Sequence, residues 1–376
     1  HDRSLDLTIA ACLLKGECLE PMPPNIMRLP CIFDYTPSFF KSYTLRVPSV
    51  LASVQMIYQA DPDEIYISTP GPVGILGALL AKLLRVPCTG IYHTDFTRQA
   101  FQIVGEEAVC EVVEDYTRWF YSQMNTISVP TDEYISLLAE RGFERNKMVK
   151  FRRGIDPVAF SPRSRSNATV MEACGFGDGT TLLYAGRVSK EKSVDFLARV
   201  YENVLRNNRA VNLLFAGDGP YLEEFREKMR PFYRVAFLGR VPRHELPALY
   251  SAADLLVFPS VTDTFGMVVL EAQACGLPAL VSDVGGPKEI VVPGKTGFVA
   301  KADDSRAWAN KIEGIISMKT YYPELYEEMR LGARRHVLDT YRWDLVLRDI
   351  YGPAIAEVDR TEPAKRTSAH DKAPAA

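Results

Sequence analysis

At 376 residues the chain is long for one hydrophobic core and comfortable for two. Its 47% hydrophobic and 24% charged residues are ordinary for a globular protein, and a net charge of −3 leaves no nucleic-acid footprint over the whole chain. Apolar runs break well short of the ~18 residues a membrane span needs, and no apolar stretch follows His1 as in a secretory leader. The seven cysteines, odd in number and without a CxxC pair, argue against a disulfide framework or zinc site and for a reducing compartment.

A first strand is expected at residues 5–11, almost at the first residue, so a preceding βα unit of a doubly wound domain is expected to be missing. Residues 21–48 are rich in proline and aromatics: Phe33, Tyr35, Phe39, Phe40 and Tyr43 stand beside Lys41 and Arg46. Such a loop folds its rings onto the core, the reading favoured here, or touches a membrane surface or lipidic acceptor. A helix over 50–59 turns through Asp61-Pro62-Asp63 into a strand at 64–68. That Asp-x-Asp resembles a cation site for a sugar diphosphate, but it sits before a strand, away from the strand C-termini, and no metal is expected there.

Gly71, Gly74 and Gly77 open a helix over 73–84 with a spacing that is weak as a dinucleotide fingerprint. A strand at 88–92 ends in His93-Thr94-Asp95-Phe96, which places His93 for contact with a substrate; the alternative is a structural histidine satisfied by Asp95. Helix 107–124, strand 126–129, helix 132–141 and strand 147–151 continue a βα rhythm that implies a parallel sheet. Arg152-Arg153-Gly154-Ile155-Asp156-Pro157 and the polar run 161–169 mark the boundary between domains at 1–155 and 156–342. The basic run 145–153 reads as a solvated rim around a strand, with Arg152 and Arg153 placed to face a cleft.

The second half repeats the rhythm. Strands are expected at 181–185, 211–216, 235–238, 255–258 and 279–281, and helices at 194–207, 221–229, 244–252, 305–317 and 324–340. Gly266 opens a further helix, another begins after Gly286, and a last one at 344–358 is led in by Trp343. Residues 359–376 have the composition of a disordered tail.

Four loops leave strand C-termini in this half, where open α/β sheets bind ligands. They carry Gly186-Arg187 through Lys192, Gly217-Asp218-Gly219, Asp263-Thr264-Phe265-Gly266, and Gly285-Gly286. A diphosphate needs cations or backbone N–H groups, and close approach needs glycines. Arg187 offers a planar fork and Lys192 a point charge. A charge pair at ~4 Å in an effective dielectric of ~20 is worth about 4 kcal/mol, whereas a helix terminus contributes ~0.3–1 kcal/mol, so the side chains dominate. The competing reading pairs Lys190 or Lys192 with Glu191. Asp263 and Glu271, seven residues apart, are placed to grip the hexose and ribose of a nucleotide-sugar, leaving the N–H groups of Phe265, Gly266 and Met267 for a phosphate.

At these residues the sequence resembles the family 4 retaining glycosyltransferases. The blocks GRVSKEK, AGDGP, FLGRVPRHELPALYSAADLLVFPS, TDTFGMVVLEAQACGLP and SDVGGPKEIV are specific in combination; STPGPVG and YHTDF fit the subgroup acting on lipids. The resemblance implies an α/β GT-B fold, two Rossmann-like domains whose parallel sheets face a central cleft. It implies that Arg187 and Lys192 hold the diphosphate, that Glu271 binds ribose, and that Asp263 stands where the family has the first Glu of Glu-x7-Glu. His93 would lie near the transferred sugar, Gly239 to Val241 would border the base, and Trp343 would lead the last helix, 343–358, back to the N-terminal domain. Gly186, Gly217, Gly219, Gly239, Val241, Phe265, Gly266, Met267 and Glu271 thus form the expected donor site.

The implied reaction is metal-independent transfer of a hexose, with mannose from GDP-mannose favoured, to a lipid or glycan acceptor, with retention and without a cofactor. The expected location is the cytoplasm, with peripheral contact at the inner face of the membrane. Two alternatives remain: a nucleotide-sugar epimerase of the same fold, and a catalytically impaired nucleotide-sugar-binding module.

Overall fold

A computed structural model describes residues 6–13, 23–36, 44–163, 174–176, 178–208 and 210–348. Strand β1 (Ile9–Cys12) pairs in parallel with β2 (Ile26–Leu29), and β3 (Cys31–Tyr35) with β4 (Leu45–Pro48) in an antiparallel hairpin. Helix α1 (Val50–Gln59) leads into β5 (Ile65–Ile67), α2 (Pro72–Leu84), β6 (Cys88–Ile91), α3 (Phe96–Val104), α4 (Glu107–Ser122), β7 (Thr126–Val129), α5 (Asp132–Glu140) and β8 (Met148–Lys150). The sheet β5-β6-β7-β8 is parallel, so all four C-terminal ends meet one edge. Sequence chemistry explains the helix starts: Pro72 opens α2, the Asp95 carboxylate accepts from the Arg98 N–H at the head of α3, and Thr131 caps α5. Gly74 lets α2 lie on its own strand, since a Cβ there would come 2.1 Å from the Thr69 carbonyl oxygen. That contact accounts for the glycine without any ligand.

The second lobe holds β9 (Thr180–Ala185), α6 (Val194–Asn207), β10 (Val211–Ala216), α7 (Leu222–Met229), β11 (Val235–Phe237), α8 (Leu246–Ala252), β12 (Leu255–Phe258), α9 (Met267–Ala274), β13 (Ala279–Ser282), β14 (Gly297–Ala300), α10 (Ser305–Tyr321) and α11 (Pro323–Thr340). Its six strands run in the order β11-β10-β9-β12-β13-β14, a parallel doubly wound sheet whose order reverses between β9 and β12. Every residue of β9, β10, β12 and β13 is buried, as expected for strands covered on both faces. Two separate cores result, one spanning Ile67 to Met148 and the other Ile155 to Tyr341.

Several expectations are corrected. Residues 26–29, 31–35 and 45–48 are strands rather than loop, and Phe33 and Tyr35 are exposed instead of folded onto the core. Beyond Cys31 this strand is exposed on both faces, so its aromatics have no core to pack on. Phe39, Phe40, Lys41 and Tyr43 lie outside the described residues. After Gly285 there is one 3-10 turn, residues Gly286–Glu289, where a longer helix was expected. Residues 343–348 are helical; the rest of the expected last helix and the tail lie outside the described residues.

Candidate active site

The loops at the switch point of the second sheet are sewn together by their own backbones. The Gly186 N–H donates to Ala216 at 3.0 Å, Gly217 to Gly239 at 2.8 Å, and Val188 to Asp218 at 3.0 Å. A Cβ on Gly217 would lie 1.8 Å from the Gly186 carbonyl oxygen, and one on Gly219 2.2 Å from that of Val188. The close approach reserved in the sequence reading for a diphosphate is here an approach of loop to loop. Gly239, at φ +65°, faces open space, and Val241 is half-buried against the core. On the facing side, Gly286 donates to the Asp263 carbonyl at 2.8 Å, and a Cβ on it would meet the Thr264 oxygen at 2.1 Å. Gly266, at φ +97°, turns the chain into α9, and its carbonyl accepts from the Val269 and Leu270 N–H groups at 2.9 and 3.3 Å. Phe265 is buried against Tyr341, so that residue can offer a ligand its backbone only.

Charged side chains line this edge in pairs. Lys192 Nζ lies 2.8 Å from Asp263 Oδ2, both largely sheltered. Arg187 is more exposed and stands 3.8 Å from Glu191, while Lys190 reaches Glu224 at 3.8 Å. Glu191 therefore faces Arg187, not a lysine as the competing reading had it. Glu271 is only 5% exposed. Its carboxylate accepts from the Tyr250 hydroxyl at 3.2 Å and faces Arg243 at 2.9 Å. Burial nonetheless raises its pKa, against the opposing pull of Arg243 and Tyr250. Sequence reasoning missed both partners; the signal available was that a buried carboxylate needs a cation and a donor.

On the first lobe, His93 follows β6 and is half-buried, with Nδ1 3.4 Å from the Ile91 carbonyl. Burial lowers its pKa, and the charge of Arg153 lowers it further. Asp95 does not satisfy this histidine. Its carboxylate is held by Arg141 at 2.9 and 3.1 Å and by Arg98 at 3.4 Å. The His93 carbonyl accepts from the Thr264 hydroxyl at 2.9 Å, which joins it to the loop carrying Asp263. That loop receives further donors from the first lobe: Arg98 to the Val261 carbonyl at 3.2 Å, the Tyr134 hydroxyl to Thr262 at 3.2 Å, and the Thr131 hydroxyl to Thr264 at 3.3 Å. The loop after His93 and the loop carrying Asp263 thus meet across the cleft between the sheets, through the Thr264 hydroxyl. Among the described residues no group of three or more His, Cys, Asp or Glu side chains is placed to hold a metal ion.

Two parallel α/β lobes with their strand ends facing one cleft define a GT-B glycosyltransferase fold. Residues 172–336 match the family model of the glycosyl transferases group 1. A GDP-mannose-dependent alpha-(1-6)-phosphatidylinositol monomannoside mannosyltransferase of Mycolicibacterium smegmatis is 30% identical, over 80% of this chain and 79% of the relative. A sulfoquinovosyl transferase of Arabidopsis thaliana is also 30% identical, over 81% of this chain but 60% of its own length. Among solved structures, sucrose-phosphate synthase from Thermosynechococcus elongatus superposes with a TM-score of 0.71 at 20% identity, covering 94% of this chain and 89% of that one. Anabaena HepE in complex with UDP gives 0.69 at 18% identity, over 82% of each chain. The chain belongs to the group 1 glycosyl transferases.

Proposed function

We propose that the protein moves a hexose from a nucleoside diphosphate sugar to a hydroxyl of a lipid or glycan acceptor, with retention and without a metal or cofactor. The observation carrying this reading is the pairing of Arg187 and Lys192 with carboxylates at the switch-point edge, opposite His93. In the free protein Asp263 neutralises Lys192. A bound diphosphate takes over Lys192 and releases Asp263 to accept from sugar hydroxyls. As the anomeric C–O bond breaks, negative charge grows on the leaving diphosphate, where the two cations stabilise it. The acceptor hydroxyl arrives on the same face, bonds to the anomeric carbon and gives its proton to a leaving-group oxygen. His93, neutral because burial opposes its charging, serves as a hydrogen-bonding group beside the transferred sugar. Glu271 accepts from the ribose.

The names of relatives such as the mycobacterial mannosyltransferase support GDP-mannose as donor. Exposed Ile32, Phe33 and Tyr35 support peripheral contact with a lipid surface. A thermal-shift panel of GDP-, UDP- and ADP-sugars tests the donor, since a ligand at about 100 times its Kd stabilises by ~2.7 kcal/mol. GDP-mannose is expected to raise Tm most. No shift with any nucleotide-sugar overturns the reading, and sugar interconversion without an acceptor would indicate an epimerase instead.

A further inference from the structure

Arg153 takes no part in the reaction as argued above, yet its surroundings are unusual. Beyond the end of β8 the Phe151 N–H still bonds the Val129 carbonyl at 2.8 Å, so the chain leaves the sheet at its C-terminal edge and reaches Arg153 two residues later. His93 leaves the same edge from β6, with only β7 between, a separation of roughly 10 Å at the usual strand spacing. The backbone here is fixed: the Trp343 indole presses on Gly154, where a Cβ would come within 2.4 Å, and the Ile155 N–H donates to Tyr341 at 2.8 Å. The side chain is half-buried. Among the described residues it makes no hydrogen bond or ion pair. The carboxylates around the end of β8 are engaged elsewhere: Asp156 accepts from the Val158 and Ala159 N–H groups at 2.8 and 3.1 Å, and Asp132 and Glu289 each hold Lys150 at 2.6 Å.

A guanidinium withdrawn from water without a counter-anion is costly, and an incoming anion removes that cost. Its planar fork suits phosphate oxygens. The donor's diphosphate already has Arg187 and Lys192, on the other lobe. We propose that Arg153 is a recognition residue for a phosphate group carried by the acceptor, which makes the acceptor a phosphate-bearing polyol or lipid headgroup and not a neutral glycan. This rests on the transferase reading, which places the transferred sugar beside His93, where the acceptor hydroxyl must arrive. That Arg153 lies near enough for its charge to act on His93 accords with one substrate touching both.

Isothermal titration of the full chain and its Arg153→Gln and Arg153→Lys variants tests this, with inorganic phosphate, GDP and UDP as separate probes. Wild type should bind inorganic phosphate saturably. Arg153→Gln should weaken that binding by about tenfold or more, the loss of one charge-assisted contact, while Arg153→Lys retains part of it. Nucleoside diphosphate affinity should change less than about twofold, which also shows that the variants are folded. Phosphate binding that is absent in wild type, or unchanged in Arg153→Gln, overturns the proposal. A parallel loss of GDP or UDP affinity also overturns it, because Arg153 would then serve the donor. If wild type binds neither nucleotide, the transferase reading fails, while the phosphate titration still reports on Arg153. Glycerol 3-phosphate and phosphatidic acid vesicles then distinguish the sources: Arg153-dependent binding of either supports the proposal and identifies the class, and dependence with neither contradicts it.

Discussion

Lys192 and Asp263 hold each other at 2.8 Å, so two residues assigned from sequence to different parts of one ligand form a closed pair in the free protein. On the proposed reading a diphosphate displaces that carboxylate, an exchange that keeps Lys192 compensated throughout. Glu271 is the opposite case, a buried acid kept in place by Tyr250 and Arg243. Glu271→Gln is expected to weaken nucleoside diphosphate binding by about tenfold, the value of one hydrogen bond to a charged acceptor; 2′,3′-dideoxy nucleotides should bind both proteins alike by calorimetry. His93 and His336 both have pKa values lowered by burial from an ordinary 6.5. Below about pH 6.5 the unfolded chain therefore takes up protons that the folded one resists, and stability falls as pH drops. His93→Gln should reduce the loss of Tm between pH 7.5 and 5.5 relative to wild type. The positions of Arg187, Lys192, Asp263 and His93 at strand ends were legible because each follows an apolar run of strand length, and Glu271 because it is the one carboxylate in the apolar helix that Gly266 opens. Their partners were not. Arg243 and Tyr250 lie 28 and 21 residues from Glu271, and only the packing of α8 on α9 brings them together.

At the scale of elements, Thr126–Val129, Val194–Asn207, Val211–Ala216 and Leu255–Phe258 have the bounds that their apolar patterns predict. Strands of the second sheet are apolar on both faces and announce themselves. The signal fails where burial is one-sided or the run is short: β2, β3 and β4 were read as loop, while α3 and β14 were not anticipated. The glycines were read correctly as points of close approach but with the wrong neighbour. Gly217 has φ +156°, a region nearly closed to other residues, and a Cβ there would strike the Gly186 carbonyl. Gly217→Ala is therefore expected to cost about 1–3 kcal/mol and to lower Tm by several degrees, with diphosphate affinity falling alongside. An unchanged melting curve would mean that these loops are not packed as described.

Across the whole molecule, the lobes are joined by polar contacts around the loops of the candidate site. Glu133 accepts from the Gly285 N–H at 2.9 Å and pairs with Lys288 at 2.7 Å, while Glu289 accepts from the Glu133 N–H at 2.9 Å and pairs with Lys150 at 2.6 Å. These partly exposed ion pairs weaken with ionic strength. Glu133→Ala should increase the radius of gyration by small-angle scattering and raise the donor KM more than it lowers kcat; added nucleotide should partly restore compactness. None of this clasp is legible in sequence, because its partners lie 139 to 156 residues apart.

The central claim is that charge at Arg187 and Lys192, with no protein nucleophile, drives departure of the diphosphate. It is tested most directly by turnover of Lys192→Ala at saturating donor. The account predicts a fall of about 100-fold or more, a loss of roughly 3–4 kcal/mol of transition-state stabilisation with the fold intact. Near-normal turnover in that variant would contradict it.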